Sequence, residues 1–125
     1  MEYQGGCHCG AVRFRFTAPD TLPVVNCNCS ICRMTAFAHV FVPHAELVFD
    51  AKGDLSEYTF NTGSAKHWFC SRCGIKSFYQ PRSHPEAYSV NLRCLDNSER
   101  LSITETDFDG ANWEANIDVL KAPSR

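Results

Sequence analysis

The sequence predicts a mainly β domain built of two small antiparallel sheets, and three observations carry that prediction. Short segments rich in aromatic and β-branched residues recur along the chain. Proline, glycine and asparagine separate them at close intervals. Seven of the eight cysteines fall into three tight clusters, each beside one of these segments, so the sheets are expected to be pinned where cysteine-bearing turns meet.

The elements follow in order. Residues 11–16 alternate apolar Val12, Phe14 and Phe16 with basic Arg13 and Arg15, the period of a strand with one buried face. Ala18-Pro19-Asp20 breaks that strand, and residues 22–25 lead as a short extended segment into the second cysteine cluster. Residues 37–42 and 46–49 read as strands separated by Pro43, and residues 55–60 as another. Asn61-Thr62-Gly63-Ser64 makes a turn. Residues 65–69 then enter the third cluster and residues 75–79 leave it, a cysteine knuckle set in a hairpin, with Gly74 suited to a left-handed turn. Residues 80–86 carry two prolines and form a loop. Residues 87–92 and 101–108 are the final strands, joined through Asp96-Asn97-Ser98. After a turn at Asp109-Gly110, residues 112–116 suit a short C-terminal helix capped by Asn112, with Trp113 packing it onto a sheet.

With 125 residues, 44% of them hydrophobic, the chain has the size of one domain, spanning residues 1–125. The formal net charge is −2 and the basic residues are scattered, which leaves no electrostatic footprint for nucleic acid. No apolar run approaches the roughly 20 residues of a membrane span. The first residues have neither a basic nor an apolar signal region, so a reducing, cytoplasmic setting is expected.

In such a setting the cysteines read as metal ligands and not as a disulfide framework. Cys7-His8-Cys9 and Cys70-Ser71-Arg72-Cys73 each supply two thiolates, and pairing them closes one tetrahedral zinc site. Cys27, Cys29 and Cys32 lie within six residues and leave a second site one ligand short, the pattern of a catalytic zinc with an exchangeable position. Two Zn2+ per chain are expected. Cys94 is the competing fourth ligand, but its apolar neighbours Leu92 and Leu95 favour a buried packing role. A three-thiolate zinc has a net charge of about −1, favours soft ligands, and suits a chemistry of thiols and carbonyls.

Four segments carry a family resemblance: Gly5-Gly6-Cys7-His8-Cys9-Gly10, Cys27-Asn28-Cys29-Ser30-Ile31-Cys32-Arg33, Phe69-Cys70-Ser71-Arg72-Cys73-Gly74 and Phe108-Asp109-Gly110-Ala111-Asn112-Trp113-Glu114. In these flanks and in this order, the chain resembles the glutathione-dependent formaldehyde-activating enzyme family and its centromere protein V-like branch. The resemblance implies a β-tent, or Mss4-like, fold. It implies a structural zinc on Cys7, Cys9, Cys70 and Cys73 and a catalytic one on Cys27, Cys29 and Cys32. The implied activity is that of S-(hydroxymethyl)glutathione synthase, a carbon–sulfur lyase through which formaldehyde adds reversibly to the glutathione thiol.

Further residues fit substrate contacts, each beside a plainer role. Arg33 follows the triad and either binds a substrate carboxylate or offsets the thiolate field. His39 and His67 lie in expected strands, as acid, base or donor to a ligand, or simply as half-buried residues. Arg82 and His84 sit in the proline-bounded loop at a substrate rim or in solvent, and His8 lies between two thiolates that make its nitrogen unnecessary. Among Phe37, Phe41, Phe49, Tyr58, Phe60, Trp68, Phe69, Phe78 and Tyr79, some line a pocket and most belong to the core. The competing class is a zinc-binding protein-interaction or chaperone-like module, which needs the four-cysteine site and has no evident use for the triad.

Overall fold

The computed structural model describes residues 1–110; the expected C-terminal helix and Trp113 lie outside the described residues. Among the described residues ten strands form two sheets. β1 (Glu2–Gly6), β2 (Arg13–Thr17) and β5 (Val48–Ala51) make a three-stranded sheet in the order β1-β2-β5. β3 (Thr21–Cys27), β4 (Ala38–Pro43), β6 (Leu55–Tyr58), β7 (Lys66–Cys70), β8 (Phe78–Gln80), β9 (Ala87–Asn91) and β10 (Ser102–Phe108) make the larger sheet, in the order β10-β3-β4-β9-β8-β7-β6. The two-sheet expectation holds, with one refinement: β10 runs parallel to β3, from Ser102 opposite Thr21 to Phe108 opposite Cys27. A single short α-helix among the described residues, α1 (Ser30–Thr35), was not expected from the cysteine-rich sequence around it.

Alternation along the strands separates structure from function. In β2, Phe14 and Phe16 are buried while Arg15 is exposed, as the period-two pattern requires. The arginines meet acids across the sheet edge, Arg13 with Asp96 at 2.6 Å and Arg15 with Asp50 at 3.1 Å. Phe14 packs edge-on against Phe49 and Phe78, at centroid separations of 6.2 and 6.0 Å. Across the larger sheet, Val40 faces Val90 and Val90 faces Phe78, a row whose side chains join Phe14, Leu22 and Val24 in the core between the sheets. The interleaved row lies on the opposite face: Phe41 pairs with Ser89, Ser89 with Tyr79, and Tyr79 with His67. His39, two residues before Phe41 and opposite Val25, shares that face. The sheet thus turns aliphatic residues toward the core and histidines, a serine and a tyrosine the other way.

Two turns complete the frame. The knuckle between β7 and β8 places Gly74 at φ 79°, the left-handed conformation anticipated for it. Gly6 lies so close to Val12 that a Cβ there would overlap the Val12 carbonyl, which explains a glycine where β1 and β2 converge on the first cysteine pair.

Candidate metal centres and the adjoining cavity

The sulfurs of Cys7, Cys9, Cys70 and Cys73 all lie within 4.8 Å of one another. The separations are 3.6 Å from Cys7 to Cys9 and 3.7 Å from Cys9 to Cys70. No disulfide is formed by any of the eight cysteines, and the spacing itself excludes an S–S bond of about 2.05 Å. It matches what four thiolates require: ligands about 2.3 Å from a tetrahedral zinc stand about 3.8 Å apart. The backbone amides of Val12 and Arg72 point at the sulfurs of Cys7 and Cys70, at 3.3 and 3.4 Å. Amide hydrogen bonds from Cys9 and Ile75 lower the Cys73 thiol to about 6. The knuckle geometry thus favours the Cys7 and Cys73 thiolates, while Cys9 is pushed up to about 11 among the neighbouring sulfurs.

The triad is positioned differently. Cys27 ends β3, Cys29 precedes α1, and Cys32 is buried within the helix, whose first turn is closed by the Arg33 amide donating to the Cys29 carbonyl at 3.0 Å. Hydrogen bonds from Cys27 and then Cys32 hold the Cys29 thiol far below its ordinary range. The Cys27 thiol is pushed up by its bond to Cys29, and that of Cys32 by its bonds to Cys27 and Cys29. A divalent ion held by these sulfurs would favour the ionised form of all three.

The close donor group here leaves out Cys29 and takes in His39. Its Nε2 lies 3.1 Å from the Cys32 sulfur, and the Cys27, Cys32 and His39 donor atoms are all within 4.8 Å of one another. Ser89 Oγ is 2.8 Å from His39 Nδ1. Burial pushes His39 down to about 3, so the ring is neutral and Nε2 is a competent metal ligand or thiolate partner. Cys94 is placed elsewhere. It ends a 3-10 turn, and burial raises its thiol to about 11, with the further influence of Cys7 and Cys73 and not of the triad. His8 is exposed and stands outside the four-sulfur group.

A cavity of about 790 Å³ opens beside the triad, lined by Cys27, Cys29, Cys32, Arg33, His39, His67 and Arg82 among others. All four expected contact residues, Arg33, His39, His67 and Arg82, are on its wall; His84 instead stacks on Phe41 at 4.1 Å. Phe41, Phe60 and Tyr79 supply apolar lining, while Phe37 and Phe78 are buried and Tyr58 is exposed. Gly110 closes the wall behind the triad: a methyl group there would overlap the Cys27 sulfur. Asn28 ties the same segment down by donating to Asp109 at 3.1 Å.

One residue of this region escaped sequence reasoning. Lys76 is only 8% exposed, with Nζ 3.9 Å from the Tyr79 ring centre, 4.8 Å from that of Phe37 and 2.7 Å from His67 Nδ1. Burial lowers it to about 8, while Cys32, Cys29 and Cys27 pull it back up. A buried cation thus lies against the cavity residues His67 and Tyr79, within electrostatic reach of the triad. The signal was a lysine in the run Ile75-Lys76-Ser77-Phe78-Tyr79, and without coordinates it reads as an ordinary solvated residue.

Among the described residues no helix is long and apolar enough to cross a membrane. The chain is 34% identical to a Halomonas elongata protein whose name provisionally assigns it as a glutathione-dependent formaldehyde-activating enzyme; the match covers 82% of this chain and 74% of that one. A crystal structure of a Rhodobacter sphaeroides protein superposes with a TM-score of 0.67 at 33% identity, covering 82% of this chain and 99% of that one. The family model described as glutathione-dependent formaldehyde-activating enzyme matches residues 2–109, and with these cysteine clusters in place the chain belongs to that family.

Proposed function

We propose that this protein is a zinc-dependent carbon–sulfur lyase of the S-(hydroxymethyl)glutathione synthase type, acting in a reducing, cytoplasmic setting. The observation that carries the reading is the contrast in surroundings: Cys27, Cys29 and Cys32 all line a cavity of about 790 Å³, while Cys7, Cys9, Cys70 and Cys73 do not. Cys27, Cys29 and Cys32 would hold the reactive zinc, and Cys7, Cys9, Cys70 and Cys73 a structural one. When bound at the triad, zinc supplies thiol activation and a fixed position for the sulfur.

The chain's own residues supply the rest. Arg33 and Arg82 give the cavity wall two cations for the carboxylates of a glutathione-like tripeptide. Phe41, Phe60 and Tyr79 offer an apolar boundary that limits water around a small aldehyde. In the reaction the thiol proton goes to solvent. Sulfur forms the C–S bond, the carbonyl π pair moves to oxygen, and that oxygen takes a proton from solvent. Thiol and aldehyde become a thiohemiacetal with no change of oxidation state, and the reverse sequence releases them.

The test is exchange NMR on zinc-loaded protein with glutathione and 13C-formaldehyde. Faster interconversion of free aldehyde and adduct is expected; an unchanged exchange rate at stoichiometric protein rejects the reading.

A second reading rests on His39. If its Nε2, 3.1 Å from Cys32, fills the fourth metal position, the triad is a closed Cys3His site and the protein a non-catalytic zinc-binding module. Cobalt substitution separates the two: glutathione shifts the visible absorption of an exchangeable site and leaves a closed one untouched.

A further inference from the structure

His67 is 4% exposed, lines the triad cavity, and is stacked between Tyr79 at 4.9 Å and Phe60 at 5.3 Å. Its two nitrogens are treated unequally. Nδ1 is 2.7 Å from Lys76 Nζ, whereas Nε2 is buried and has no hydrogen-bond partner among the described residues. An ammonium group donates and cannot accept, so Nδ1 must be the bare, accepting nitrogen and Nε2 must carry the hydrogen. Burial lowers Lys76 only to about 8, so the ammonium form persists at neutral pH, with its Nζ over the Tyr79 and Phe37 rings. A buried N–H without a partner is costly, and its persistence in a cavity wall is the mark of a group waiting for a ligand.

We infer that Lys76 is a positioning residue that locks His67 in the Nε2–H tautomer, and that this N–H donates to the substrate oxygen as it receives the carbonyl π pair. The inference rests on the carbonyl chemistry proposed above and assigns its oxyanion donor. A fixed donor aimed where charge develops acts only in the transition state, so it raises kcat and leaves thiol binding alone. Lys76 acts from behind the ring and never touches substrate. Its charge also makes the N–H more polar through the shared imidazole.

The experiment is long-range 15N–1H NMR of the histidine rings in zinc-loaded protein. Wild type should show His67 protonated at Nε2 and bare at Nδ1. Lys76→Met should lose that preference, and Lys76→Arg, which keeps a donor, should restore it. Protonation at Nδ1 in the wild type, or no change in Lys76→Met, overturns the assignment. Turnover supplies the second arm: His67→Phe, similar in shape but lacking a donor, should lower kcat by about 100-fold with KM for glutathione unchanged. His67→Gln, whose amide reaches toward the Nε2 position, should recover part of the loss. A fall confined to KM, or Gln no better than Phe at equal zinc content, counts against the donor role. If the wild type is inert toward glutathione and formaldehyde, the lyase reading fails separately. Formate then serves as a small oxyanion probe: a downfield shift of the His67 Nε2 proton supports the donor, and an unmoved proton at saturating formate sinks it.

Discussion

The two cysteine centres differ less in their thiols than in what stands behind them. The four-cysteine centre joins the β1–β2 turn to the β7–β8 knuckle, and its second layer is backbone: amides of Val12, Arg72, Cys9 and Ile75 directed at sulfur. The triad is drawn from β3, the residue before α1 and the helix itself, and beside the amides of Cys29 and Cys32 it has side chains behind it: His39, Lys76 and the cavity wall. Backbone donors are fixed by the fold and suit a centre whose task is to hold the chain together. Side chains in a cavity can exchange partners, which suits a centre that binds and releases a ligand.

The largest expected effect breaks the comparison at the metal. Structural zinc contributes roughly 10–16 kcal/mol of apparent free energy in small peptides, as much as a whole domain's net stability. Cys70→Ser should therefore yield little folded protein by circular dichroism, whereas Cys29→Ser should fold, carry about one metal equivalent fewer, and lose glutathione binding. Equal unfolding of the two variants would erase the division of labour. Chelator challenge sharpens the same contrast kinetically. A competing colorimetric chelator should strip metal in a fast and a slow phase, with the fast phase absent in Cys29→Ser; a single phase common to both proteins would mean that the centres hold metal equally firmly.

A subtler break lies at Gly110. Because a Cβ there would overlap the Cys27 sulfur, Gly110→Ala should displace one triad ligand and weaken metal affinity at that centre by about tenfold, leaving the thermal transition almost unmoved. Competition titration reads the affinity and calorimetry the transition. A melting temperature that falls along with the affinity would show that the triad also holds the fold.

These contrasts explain which parts were legible in the sequence. β2 was visible because alternation writes a buried face directly into the order of residues, and the knuckle because Cys70, Cys73 and Gly74 carry a local geometric requirement. The pairing of Cys7 and Cys9 with Cys70 and Cys73 followed from ligand arithmetic, since zinc admits few solutions. α1 was hidden because two of its neighbouring cysteines are placed by metal geometry and not by helical periodicity. The parallel pairing of β10 with β3 joins segments some 80 positions apart, and no local pattern encodes it. Lys76, in the segment before β8, meets His67 of β7, and Cys32 of α1 meets His39 of β4; both contacts come from tertiary packing that is set only once the fold forms.

The smallest expected effect concerns the cavity side alone. Burial first, and then the charge of Lys76, hold His67 down to about 4 against an ordinary value of 6.5. Between those limits the unfolded chain binds a proton that the folded chain refuses, so unfolding takes up to one proton at this site. The stability contributed by the neutral ring is fully present above about pH 6.5 and is lost as pH falls toward about 4. His67→Phe lacks this titration, so its stability, followed by urea unfolding, should fall less steeply with acid than that of the wild type. Acid release of metal from the four-cysteine centre affects both proteins alike and cancels in the difference. Parallel curves for the two proteins would mean that His67 protonates as easily folded as unfolded, and that the cavity does not enforce the neutral ring on which its donor geometry depends.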